Sequence, residues 1–163
     1  AMARLMLWRM DRRARKLRST ALESSVRELR RTLLEQGFFR RVDPVKHYAL
    51  CHSDFHPGNF LLDEETGRCI ALDWSNYNLG LKGADYISLF RDRKGSFNEF
   101  ERWYLSRSDD SEDGRILAVL VMYGIIYRSV INARRSTVLP LLDGFILPAV
   151  ERIRSMLGNK KAL

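Results

Sequence analysis

Residues 52–59 read His-Ser-Asp-Phe-His-Pro-Gly-Asn, and residues 72–74 read Leu-Asp-Trp. Two imidazoles, two carboxylates and a primary amide at these spacings admit two chemistries. In the first, His52, Asp54 and His56 alternate along a strand and ligate zinc, as hydrolase sites do. Pro57-Gly58 breaks the strand too early for that, and His47 is the one further histidine in the chain. In the second, Asp54 orients and deprotonates an acceptor hydroxyl, while oxygens of Asn59 and Asp73 hold magnesium against nucleotide phosphates. Pro57 and Gly58 then shape the turn that returns Asn59 beneath Asp54, and a hairpin turn at residues 63–67 leads back to Asp73. Taken singly, His52 reads as a core histidine and Asp73 as a strand end. Their ordered occurrence with Asp54, His56, Pro57, Gly58, Asn59 and Trp74 favours the second chemistry.

The five-residue separation of Asp54 and Asn59, followed across a strand pair by Asp73, is similar to the H-R-D-L-x-x-x-N and D-F-G arrangement of protein kinases. More closely, HSDFHPGN followed by ALDW resembles the H-x-D-x-H-x-x-N and I/L-D-W signature of the aminoglycoside phosphotransferase and choline kinase superfamily. The recognisable signature covers residues 47–90. The resemblance implies a protein-kinase-like C-terminal lobe, ATP and Mg2+ as cofactors, and a small-molecule acceptor such as an aminoglycoside, choline or a sugar. It places Asp54 at the catalytic position, Asn59 and Asp73 at the metal- and nucleotide-binding positions, and His52 in a supporting role bracing the loop. Gly83-Ala84-Asp85-Tyr86 is similar to the family's D-P-x-x-D-L stretch without its proline, which puts Asp85 in the place of a second loop-bracing aspartate. His56 is expected to shape the loop through a hydrogen bond. The alternative is a non-catalytic kinase-like binding or scaffold module that keeps the loop as architecture and holds a partner with its N-terminal helices.

The elements that must position these residues are mainly helical, giving an α+β fold in which a small β-hairpin element carries the loop. Residues 4–18 are basic and helical, with Leu5, Trp8 and Leu17 available for an apolar stripe. Thr20-Ala21-Leu22-Glu23 reads as a capping box, after which Leu22, Val26, Leu29 and Leu33 recur at helical spacing until Gly37. Short strands are expected at 47–51, 60–62 and 69–72, and helices near 84–92, 97–106, 114–135 and 138–157, the last kinked or split at Pro148. The acidic run Asp109, Asp110, Glu112 and Asp113 reads first as a helix cap and second as a pocket for a cationic acceptor. Trp103, Tyr104, Tyr123 and Tyr127 read as core before cation cage.

The net charge of +8 is confined to residues 1–41, which hold 12 Lys/Arg against 4 Asp/Glu, while residues 42–163 balance at 16 and 16. A solvated or domain-contacting face is the usual meaning of such a segment, ahead of anionic membrane or polymer contact, and nucleic acid comes last for want of RNA or zinc signatures. No stretch is expected to reach the roughly 18 apolar residues of a membrane span, and a cytoplasmic location is expected. Cys51 and Cys69 lack metal spacing and read as buried thiols.

The 163 residues are expected to form one domain, with residues 1–3 an expression remnant. Neither a glycine-rich phosphate loop nor a strand lysine precedes Asp54, so the N-terminal nucleotide-clamping lobe of the family is expected to be absent, or to act as a separate partner. Turnover by these residues alone is then expected to be weak or nil.

Overall fold

The computed structural model describes residues 2–92 and 95–158. Helices α1 (Met2–Leu17) and α2 (Thr20–Glu35) form first. In α1 the buried stripe is Leu7, Met10, Ala14 and Leu17. Leu5 and Trp8, expected in that stripe, lie on the far side of the 3.6-residue period and stay 49% and 48% exposed. The cap of α2 is Ser19, one residue before the expected Thr20, because Arg18 turns the chain at φ 53° and leaves Ser19 extended, its hydroxyl accepting from the Leu22 N–H at 3.3 Å. A reciprocal capping box occurs instead at Ser96 and Glu99. Leu22, Val26, Leu29 and Leu33 are fully buried.

A short helix α3 (Pro44–His47), capped by Asp43, leads into β1 (Tyr48–Cys51). Strands β2 (Phe60–Leu62), β3 (Cys69–Ala71) and β4 (Asn78–Leu81) follow. β2 and β3 form the expected hairpin, with Phe60 opposite Ala71 and Leu62 opposite Cys69. β4 pairs antiparallel with β1, Tyr48 opposite Leu81 and Cys51 opposite Asn78. Residues 52–77 are therefore an excursion that leaves one strand of a two-stranded sheet and returns to its neighbour. β4 is hard to read because its four residues, Asn-Leu-Gly-Leu, are too short a run and lack β-branched residues. Gly80 is there for space: a Cβ would lie 3.2 Å from the Cys51 sulfur on the facing strand. Cys51 is buried, whereas Cys69, read as buried, is exposed on the hairpin.

Helices α4 (Ala84–Asp92), α5 (Phe97–Trp103) and α6 (Glu112–Asn132) complete the packing around the site. They are followed by α7 (Val138–Leu141), a π-helical turn over Leu142–Ile146, and α8 (Leu147–Gly158). The expected break at Pro148 is this π turn, which lies just before a proline that has no N–H to give to the preceding turn. Although no stretch is expected from the sequence to reach the length of a membrane span, α6 is long and apolar enough to cross a bilayer, with a mean hydropathy of 1.6 over an 18-residue window, and it is a core helix. It is buried on nearly every side, with Ile116, Val119, Met122, Ile126 and Val130 in one core with α1, α2, α4 and α8, as a helix apolar all round must be.

Candidate active site

The loop after β1 is held from beneath by Asp85, at the start of α4. One carboxylate oxygen accepts from the His52 N–H at 2.9 Å and the other from the Ser53 N–H at 2.8 Å. Ser53 sits at φ 70°, a left-handed conformation uncommon for residues other than glycine, and the chain turns there so that Asp54 stands outward, half-exposed. The His52 ring, 1% exposed, points the other way and is packed between Phe55 and Trp74 at centroid distances of 5.7 and 4.9 Å. Its Nε2 lies 2.6 Å from the Leu72 carbonyl. A carbonyl only accepts, so Nε2 carries the proton, and the buried Nδ1 has no hydrogen-bond partner among the described residues.

Leu72 is the hub of the site. Its carbonyl receives His52, and its N–H donates to the Asn59 carbonyl at 2.8 Å, extending the β2–β3 ladder by one step. The backbone thus fastens the residue before Asp73 to both ends of the loop. Asn59 in turn points its amide nitrogen at Asp54, donating to the carbonyl at 3.0 Å and to the carboxylate at 3.2 Å. With Nδ2 so engaged, Oδ1 of Asn59 is directed elsewhere and accepts no hydrogen bond from the described residues. His56 caps the Pro57–Asn59 turn, its Nδ1 accepting from the Gly58 N–H at 3.1 Å, and its Nε2 lies 3.9 Å from Asp54. Asp73 adopts the left-handed conformation, φ 52°, and its Oδ1 accepts from the Ser75 hydroxyl at 2.6 Å and the Ser75 N–H at 3.3 Å. Those two donors, the hydroxyl first, hold its carboxyl below the usual carboxylate range.

A family model described as the phosphotransferase enzyme family matches residues 2–117. The chain belongs to this family. Comparison with curated proteins and with solved structures finds no match. The match takes in α1 and α2 as well as the loop, so the family's reach extends well beyond the signature at 47–90.

Against the family's chemistry, the donor set fits magnesium better than zinc. His56 spends its Nδ1 lone pair on the Gly58 N–H, and the His52 ring is buried between Phe55 and Trp74 while Asp54 is half-exposed, so His52, Asp54 and His56 do not form a zinc triad. Among the described residues no group of three or more His, Cys, Asp or Glu is arranged to hold a metal ion. The oxygens that the loop's own hydrogen bonds leave over are few and hard: the amide oxygen of Asn59 and the second carboxylate oxygen of Asp73. Magnesium suits such a set because it keeps its waters and takes further oxygens from phosphates.

The acidic run acts at its own end of α6. Asp109 accepts from the N–H and hydroxyl of Ser111, the N-cap residue, while Glu112 pairs with Arg41 at 3.0 Å and Asp113 with Lys46 at 3.1 Å. His47, fully buried, accepts from the Asp43 N–H through Nδ1 at 2.8 Å and turns Nε2 toward Asp113 at 3.4 Å. These contacts bind α3, and hence the start of β1, to α6. Tyr123 lies in the core and Tyr104 packs half-buried against it, and burial raises the Tyr104 phenol to about 12. Trp103 is exposed beneath the Arg107 guanidinium, 4.7 Å from its ring centre. Ser75 is the site residue that motif reading passed over. Its signal is an Asp followed two positions later by Ser, the composition of an Asx turn.

Proposed function

We propose that the chain is the catalytic lobe of an ATP- and magnesium-dependent phosphotransferase acting on a hydroxyl of a small molecule, and that a nucleotide-clamping N-terminal lobe completes it. The observation that carries this reading is the pair of Asn59 amide bonds to Asp54, with Leu72 tied to both His52 and Asn59. It supports a reading in which Asp54 is the exposed carboxylate beside the turn and the amide oxygen of Asn59 and the second oxygen of Asp73 are left for a metal. Asp54 takes the proton of the acceptor hydroxyl as its oxygen bonds to the γ-phosphorus and the bond to the ADP oxygen breaks. Asn59 and Asp73 would hold magnesium, which when bound would neutralise the phosphate charge. His52, His56 and Asp85 keep the loop in shape. The acceptor class follows the family: an aminoglycoside, choline, a sugar or a similar metabolite.

The alternative is a non-catalytic module that retains the loop as architecture. Calorimetry with ATP, with and without Mg2+, on wild type and Asp73→Ala separates the two. Magnesium-dependent binding that is lost in Asp73→Ala supports the phosphotransferase, and binding indifferent to both supports the scaffold. In a two-lobed version, Asp54→Asn is expected to lower turnover about 10²-fold or more while leaving nucleotide affinity in place, since the substitution keeps the shape and removes the base.

A further inference from the structure

We propose that the outward face of α1 docks on an anionic lipid bilayer. With Leu7, Met10, Ala14 and Leu17 turned into the core, Arg4, Leu5, Trp8, Arg9, Arg12, Arg15 and Lys16 share the remaining arc, all exposed. At about 100° per residue that arc spans roughly 140°, and the helix is about 24 Å long. Five cations stand on it. The one acidic residue of α1, Asp11, lies at its edge and is neutralised by Arg15. Arg13 is elsewhere, donating to the Ala133 carbonyl at the end of α6 at 2.6 Å. The rest of the chain balances in charge, so the excess of +8 in residues 1–41 has its densest expression here.

A solvated basic face needs no apolar members, yet Leu5 and Trp8 stand among these cations one turn apart, each about half-exposed. Trp8, Arg12, Arg15 and Lys16 border a shallow cleft of about 410 Å³, and the Arg12 guanidinium lies 5.5 Å from the Trp8 ring centre. A phosphate-bearing headgroup fits this chemistry: the cleft supplies cations, while the indole and the leucine reach the depth where headgroup gives way to acyl chain. Nucleic acid is the poorer match. Single strands are held on successive aromatic rings, and this face offers one ring, already covered by Arg12. The straight helix presents its cations to a plane, where an anionic leaflet attracts each basic side chain within a Debye length, about 10 Å at 0.1 M salt.

The test is co-sedimentation of the full chain with vesicles of phosphatidylcholine alone, or with roughly a third phosphatidylserine. The expected result is binding to the anionic vesicles only, weakened at least tenfold by Arg9→Glu/Arg12→Glu/Lys16→Glu and several-fold by Trp8→Ala, with partial recovery in Trp8→Phe. All of these positions are exposed, and circular dichroism confirms that each variant folds. Equal binding to neutral vesicles, binding indifferent to these substitutions, no binding, or tighter binding to an oligonucleotide at the same salt would each overturn the proposal.

Discussion

At the scale of single residues, the site depends on side chains whose job is to aim other groups. Ser75 is the sharpest case. Its hydroxyl and N–H both occupy Oδ1 of Asp73, so the second oxygen is left to face outward from a residue already fixed in the left-handed region. Because Ser75 holds the Asp73 carboxyl below its ordinary value, the folded state binds that proton less readily than the unfolded chain. The associated stability is present above the unfolded pKa of about 4 and is lost as pH falls through the folded one. Ser75→Ala keeps the backbone donor and removes the stronger one. Mn2+ affinity in the presence of nucleotide, followed by electron paramagnetic resonance, is expected to fall about tenfold. The acid limb of metal binding is expected to move to higher pH. Unchanged affinity with an unmoved limb would show that Ser75 only caps the turn. The residues that give chemistry were legible in the sequence because Asp, Asn and His at fixed intervals are rare by chance. Ser75 and the backbone of Leu72 were not, since a serine in a turn and a peptide group carry no distinguishing side-chain signal.

At the scale of elements, the loop owes its position to the approach of α4 to α6, which is set by glycines on each helix's side of the contact. Gly83, at φ 90°, immediately precedes α4, and a Cβ there would lie 2.8 Å from a Val121 methyl of α6. Gly124, on α6, faces Ile87, whose terminal methyl would lie 2.5 Å from an added Cβ. The two differ in what a methyl costs. Gly83→Ala combines a positive φ with a contact against a packed β-branched side chain, and is expected to lose about 2 kcal/mol. In Gly124→Ala the contact is with the flexible end of an isoleucine, and the helix gains about 1 kcal/mol in propensity, so the net change is expected to stay within about 1 kcal/mol. Urea melts of the two variants check the contrast. Hydrogen exchange reads its consequence at the site, since Asp85 follows Gly83 by two residues and the His52 and Ser53 amides are expected to lose protection in Gly83→Ala alone. The helices were legible because four or five buried positions repeat at a 3.6-residue period, as in α2. β4 was not, because four residues with one glycine give alternation too little length. The α1 stripe was misassigned for a related reason: an aromatic residue on a basic helix suggests burial, and only the packing of Leu7 and Met10 shows which side is inward.

At the scale of the whole molecule, the helical body and the β elements differ in how well they are covered. The body closes over one core, while Leu50 and Leu79, cross-strand neighbours of β1 and β4, remain 61% and 73% exposed. On the hairpin, Leu61 faces Ile70 and both are exposed, as are Leu72, Trp74 and Tyr77 beyond it. Two-stranded sheets are marginal in water, and large apolar side chains exposed on both of them are what a further protein element would cover. The nucleotide-clamping lobe proposed above, seated over the β1–β4 sheet and the hairpin, would account for that exposure. The isolated chain is then expected to self-associate as its concentration rises and to bind a hydrophobic dye. Leu50→Lys/Leu79→Glu is expected to suppress both while changing thermal stability by no more than about 0.5 kcal/mol, because neither side chain contributes to the core and the two opposite charges face each other across the strands. Sedimentation velocity over a concentration series measures the first effect and dye fluorescence the second. A monomer with no dye response would mean that the exposed leucines are individually solvated, and would remove the structural reason for a covering lobe. If instead the double variant melts well below the wild type, the leucines support the sheet itself and the surface is part of this lobe's own packing.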